Sequence, residues 1–205
     1  MGEGMGEAKD AGGLAALISR AAHAGDRLPP VERWNPPDCG PIPMRIRSDG
    51  VWFYDGTPIG RPALVRLFST VLRREPDGSH ALVTPIEKVT IEVEDAPFLA
   101  VEMDVAGDRN DRVITFRTNV GDVAEAGPDH PMRFTGARDE LKPYVHVRGP
   151  LDRPLEALVS RAVMYELVEH GEEVEVDGTA MFALRSRGAV YPVMPMADLD
   201  RLVGA

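Results

Sequence analysis

Between Val89 and Val105 the chain alternates. Val89, Ile91 and Val93 oppose Thr90, Glu92 and Glu94, and Leu99, Val101, Met103 and Val105 oppose Glu102 and Asp104. A period of two puts successive side chains on opposite faces of a strand, so each sheet face is half wet, which argues for an antiparallel meander. Short apolar segments at 81–84, 113–118, 132–135 and 144–148, separated by turn residues, continue it, and strands near 174–176, 181–185 and 190–193 close the chain. Upstream, Met44 and Ile46 face one way and Arg45 and Arg47 the other, Asp49-Gly50 turns, and Val51 to Tyr54 returns as the second arm of a hairpin.

Helices interrupt this pattern. Pro62 suits the first turn of a helix, where its missing amide would be unpaired anyway, and Leu64, Leu67, Phe68, Val71 and Leu72 then form an apolar stripe. Arg66, Thr70 and Arg73 fall on the exposed side. A second stripe, Leu155, Leu158, Val159, Ala162 and Val163, begins at Pro154, and a short helix is expected over 12–24 with Gly25 ending it. Pro29, Pro30, Pro36, Pro37, Pro41 and Pro43 make the intervening segment an arm without regular structure, anchored by Trp34.

The segment from Trp52 through Gly56 and Arg61-Pro62 resembles the one from Val145 through Gly149 and Arg153-Pro154, each leading into an apolar-striped helix. The offset drifts from 93 at the glycine to 91 at the stripes, which requires single-residue indels. The expected fold class is therefore α+β, two tandem copies of a strand-helix-antiparallel-meander unit. The domains are a tail and short helix over 1–27, a first repeat over 28–106 and a second over 107–205.

Composition narrows the function. With 43% hydrophobic residues the chain can bury a core, and its formal net charge of −10 disfavours phosphate backbones and anionic lipid, so nucleic acid and membrane are not expected partners. The single Cys39 forms no intrachain disulfide and reads as a semi-buried structural thiol. The longest N-terminal apolar run, Leu14 to Ile18, is too short for a signal-peptide core, and a cytoplasmic location is expected. Arginine outnumbers lysine twenty to three, a ratio that GC-rich codon bias explains, so each arginine must be judged by its position.

No nucleophile elbow, Walker loop, dinucleotide glycine motif or metalloprotease pair occurs. The five histidines read as surface residues and no cofactor is expected. What remains is recognition chemistry. Arg61 and Arg153 precede prolines at expected helix starts, where unpaired amides and the helix dipole favour an anion. Trp52 and Tyr54 share one face of their strand and could stack on a flat ring, although core packing is the commoner use. Thr118 and Asn119 end a strand before Gly121-Asp122 and could meet a ligand, although turn capping would also employ them. Glu87-Lys88 reads as a solvated pair.

Several motifs together resemble the bacterial family known as domain of unknown function 1285: Trp34 to Gly40, Ile46 to Tyr54, Gly56 to Pro62, Leu67 to Arg73, Leu82 to Lys88, Val93 to Phe98, Thr118-Asn119 and Pro143 to Arg148. The resemblance spans roughly residues 28 to 193. It implies a duplicated architecture whose second half is pleckstrin-homology-like, a ligand site between the halves, and a nucleotide-type ligand with a part in signal transduction. Pro41 and Pro43 stand where the family has acidic residues.

The expected function is a non-enzymatic binding or signalling module for a small anionic metabolite or nucleotide, with its site between the two repeats. Its site residues are Trp52, Tyr54, Arg61, Thr118, Asn119, Arg148, Arg161 and Tyr165. One alternative is an enzyme with an unfamiliar site at the same interface, using Glu87 or Glu166 beside Arg161 and Tyr165. Another is a protein-interaction domain acting through a sheet edge or patch.

Overall fold

The computed structural model describes residues 28–108, 111–136 and 140–203. The expected helix over 12–24 lies outside them. The chain divides into two compact units, one taking the residues up to Asp95 together with Gly149–Pro154, the other Ala96–Arg148 and the residues from Leu155 onward.

The first unit holds one six-stranded sheet. β1 (Asp38–Ile46), β2 (Trp52–Tyr54) and β3 (Thr57–Pro58) form an antiparallel meander; helix α1 (Pro62–Thr70) follows; β4 (Leu72–Arg74), β5 (His80–Val83) and β6 (Lys88–Val93) form a second meander. The two meanders join through a parallel pairing of β1 with β6, giving the order β3-β2-β1-β6-β5-β4. Met44, Ile46, Trp52, Phe68, Val71, Leu72 and Leu82 are fully buried, and the Trp52 and Phe68 rings stack with centroids 6.4 Å apart.

The second unit repeats this topology. β7 (Phe98–Ala106), β8 (Val113–Thr118) and β9 (Val123–Glu125) form one meander, and β10 (Met132–Thr135), β11 (Lys142–Arg148) and β12 (Leu155–Val159) form the other; β7 pairs in parallel with β12 in the order β10-β11-β12-β7-β8-β9. Helix α2 (Arg161–Glu169), a separate antiparallel sheet of β13 (Glu172–Val176), β14 (Thr179–Ser186) and β15 (Ala189–Pro195), and helix α3 (Met196–Val203) complete it. Ser186, fully buried, ties that extra sheet down: its Oγ accepts from the Ile114 amide at 2.9 Å and donates to the Ala126 carbonyl at 2.6 Å.

The duplication is thus present, but in a different frame. The equivalent first strands, β1 and β7, begin 60 residues apart, not 91 to 93. Gly149–Pro154 is the turn between β11 and β12, and no helix begins at Pro154. The five apolar residues read there as one stripe belong to strand β12 and then to α2, separated by Ser160, whose Oγ caps the helix by accepting from the Val163 amide at 3.4 Å. The expected boundary at residue 106 falls at the end of β7, whose pairing with β8 and β12 places it in the second unit. The architecture is mostly β with few helices, so α+β overstates its helix content.

Local corrections have local causes. The proline arm is strand from Asp38 onward, because Pro41 and Pro43 still offer carbonyls: the Pro43 carbonyl accepts from the Asp55 amide at 2.8 Å, and register shifts along β1 absorb the missing donors. Arg73 is buried instead of exposed because α1 ends at Thr70 and the chain turns into β4; its guanidinium donates to the Val31 and Trp34 carbonyls and to Glu75. Lys88 bridges Glu75 at 3.0 Å and Asp38 at 3.3 Å, so it is structural, whereas Cys39 is exposed. In β7 a register shift between Ala100 and Glu102 changes the phase, leaving Val101 exposed while Phe98 and Ala100 are buried.

His80 sits opposite Arg74 on β4, and burial, helped by that neighbouring charge, pushes its pKa from 6.5 down to about 4. The unfolded chain therefore binds a proton before the folded one does. The contribution of a neutral His80 is complete above pH 6.5 and is lost as the pH falls toward 4, an effect of about 2 kcal/mol once its partial exposure is allowed for. Urea unfolding across this window should show a shallower decline for His80→Gln than for the parent chain.

Candidate functional site

Strand pairing places β10, β11 and β12 side by side, and α2 leaves the end of β12 after a single residue, Ser160. A cavity of about 800 Å³ opens where these elements meet, lined by Thr135 of β10 and Gly136 after it, Lys142 and Pro143 of β11, Leu158 and Val159 of β12, and Arg161, Met164 and Tyr165 of α2, with Glu140 and Leu141 between β10 and β11. Its volume lies within the usual range for small-molecule sites.

Residues 161, 164 and 165 share a face because neighbours three and four apart on a helix lie one above another. That face gives the cavity a guanidinium, a thioether and a phenol, while Leu141, Leu158 and Val159 supply apolar surface and Lys142 a second cation. Tyr165 is 61% exposed, uncommon for a ring with no structural duty in the core. At the start of α2 Ser160 takes the amide of Val163, while those of Arg161 and Ala162, like the first amides of any helix, have no acceptor within it. Gly136 is required where it stands: its φ is +77°, and a side chain there would collide with the Glu140 carbonyl.

The expected site residues divide sharply. Arg161 and Tyr165 come together at the cavity. Arg148 is buried elsewhere in the same unit, over the Phe98 ring at 4.9 Å and 3.1 Å from the Asp122 carboxylate, with burial holding its pKa below the ordinary value. Thr118 and Asn119 build the turn between β8 and β9: Thr118 Oγ1 accepts from the Asp122 amide at 3.0 Å, and Asn119 Oδ1 accepts from the Leu99 amide at 3.1 Å. In the first unit, Trp52 is core against Phe68, Tyr54 is half-buried opposite Met44, and Arg61 is the exposed residue before α1. Glu87 lies in the first unit's turn between β5 and β6, where its amide donates to Thr84 Oγ1 at 3.2 Å, and Glu166 is an exposed residue of α2 outside the cavity lining.

Comparison with known proteins fits this duplicated plan. The model of the domain of unknown function (DUF1285), N-terminal domain, matches residues 29–96, and that of the protein of unknown function (DUF1285), C-terminal domain, matches residues 97–193. The chain belongs to the DUF1285 family. A crystal structure of a DUF1285 family protein from Silicibacter pomeroyi DSS-3 is similar at 46% identity and a TM-score of 0.80, covering 90% of this chain and 98% of that one. A DUF1285 family protein from Shewanella baltica OS155 is similar at 28% identity and a TM-score of 0.48, over 62% of this chain and 91% of that one. No curated protein matches. Among the described residues of this DUF1285 chain, no helix is long and apolar enough to cross a membrane.

Proposed function

We propose that the second unit binds a small anionic metabolite, nucleotide-type ligands included, in the cavity beside α2, as a non-enzymatic binding or signalling module. The observation that carries this reading is the meeting of Arg161 and an exposed Tyr165 at the open start of α2, on an 800 Å³ cavity with an apolar wall. A guanidinium and helix-start amides offer charge-assisted donors to a phosphate or carboxylate, and the phenol and Leu158 offer a face to a flat ring. The pleckstrin-homology-like character expected for the second half belongs with this reading, since it would set the ligand on a curled sheet closed by a helix.

A chain with net charge −10 attracts anions poorly at long range, so affinity must come from these short contacts and should vary little with salt. A thermal-shift screen of nucleotides and phosphorylated or carboxylated metabolites identifies the ligand. Arg161→Ala should then weaken it by about 1.5–3 kcal/mol, the worth of hydrogen bonds to charged groups, with little change in the melting temperature of the free chain. Arg61→Ala, in the first unit, should leave affinity unchanged. Equal losses in both variants, or in neither, would remove the cavity beside α2 from consideration.

A further inference from the structure

Strand pairing in the second unit brings together two imidazoles that lie 16 residues apart in sequence. β10 and β11 set Met132 opposite Val145, and the His146 amide donates to the Pro131 carbonyl at 3.0 Å, so His130, the residue before that carbonyl, faces His146. Their Nδ1 atoms are 3.2 Å apart, with ring centroids separated by 5.2 Å and planes tilted by 41°. His146 is only 6% exposed, which corrects its expected place on the surface. His130 is half-buried and lines a second cavity of about 310 Å³ with Glu125, Asp129 and Arg187.

Two imidazole nitrogens this close cannot both carry a proton toward each other. His130 Nδ1 also lies 3.1 Å from the His146 carbonyl, so one proton on that nitrogen serves both acceptors and leaves the His146 Nδ1 lone pair aimed at the same spot. For metal–nitrogen bonds of about 2.0–2.1 Å, nitrogens held at this separation subtend roughly 100° at the ion, between the square-planar and tetrahedral angles.

We propose that His130 and His146 chelate a divalent transition-metal ion, Cu2+ or Zn2+, through their Nδ1 atoms. Binding forms two metal–nitrogen bonds while the His130 Nδ1 proton passes through solvent to the Nε2 of the same ring, so both rings stay neutral and no proton is released overall. The surrounding charges permit a cation. Glu125 is paired with Arg187, and both oxygens of Glu156, the cross-strand neighbour of His146, are taken by Arg133 at 2.6 Å, which leaves the Asp129 carboxylate as the net charge of the cavity lining. Among the described residues no group of three or more His, Cys, Asp or Glu forms a metal cluster, so water or an external ligand entering from the cavity fills the other positions.

The test uses the full-length chain without histidine tags, cleared by chelator and titrated with Cu2+ and with Zn2+. We expect one ion per chain and a Cu2+ electron paramagnetic resonance spectrum split by two imidazole nitrogens. His130→Ala should weaken binding at least tenfold and abolish that splitting, while His170→Ala should change neither. His146→Phe should do the same as His130→Ala, and if it fails to fold, the half-buried position of His130 keeps the first variant decisive. Absence of stoichiometric binding, or binding that survives His130→Ala, overturns the proposal and leaves the two rings as a hydrogen-bonded pair.

Discussion

Phe68→Ala should lower the free energy of unfolding by about 3–5 kcal/mol, the range for emptying a core aromatic site. Phe68 is completely buried, stacks on Trp52, and is the point where α1 anchors to a sheet that otherwise closes through β1 and β6. Guanidinium-chloride unfolding monitored by Trp fluorescence measures it, with Arg66→Ala on the exposed side of the same helix as the neutral comparison. A loss below about 1 kcal/mol would mean that the surroundings of Phe68 collapse to fill the space, which a stacked indole on one side makes difficult.

Asp122→Ala should be nearly as severe, at about 3 kcal/mol, because it leaves the Arg148 guanidinium, buried over Phe98, without its carboxylate. The informative comparison is the double variant Asp122→Ala/Arg148→Met. Removing both charges should recover most of the loss, since the penalty lies in a buried cation that has lost its carboxylate and not in the absence of the pair itself. If the double variant is as unstable as the single one, the contribution comes from the turn that Asp122 and Thr118 build together.

Strands were legible wherever one face was wet. Val89, Ile91 and Val93 alternate with polar neighbours and form β6 as a strand, antiparallel to β5 as read but parallel to β1 on its other side instead of continuing into β7. What the sequence concealed was mostly non-local. Leu155, Leu158, Val159, Ala162 and Val163 satisfy helical spacing, yet the first three belong to a strand between β11 and β7 whose burial on both faces erases the period of two. Ser160 was the readable boundary, since serine at that point both breaks the stripe and caps the helix after it. The repeat in motif, from Gly56 to Pro62 and from Gly149 to Pro154, equated the approach to a helix with a hairpin turn, two settings that share a taste for glycine and proline. At the candidate site, Arg161 and Tyr165 could be paired from helical spacing alone, but Lys142 and Leu158 join them only through the register of β11 on β12. His130 and His146 meet for the same kind of reason, and no spacing rule for metal ligands covers a pair assembled across two strands.

The parallel joint between β1 and β6 also bears on how the first unit is made. During synthesis β1 leaves the ribosome well before Lys88–Val93 exists, so one flank of that strand waits unpaired while the local hairpins on either side can already form. An unpaired flank invites pairing with other chains. Pro41, whose partner across that seam is Thr90, brings no amide donor to the pairing, so a regular foreign strand finds the flank incomplete. Proline at this position therefore favours the cognate strand, whose pairing already accommodates the irregular spacing, over a regular intruder.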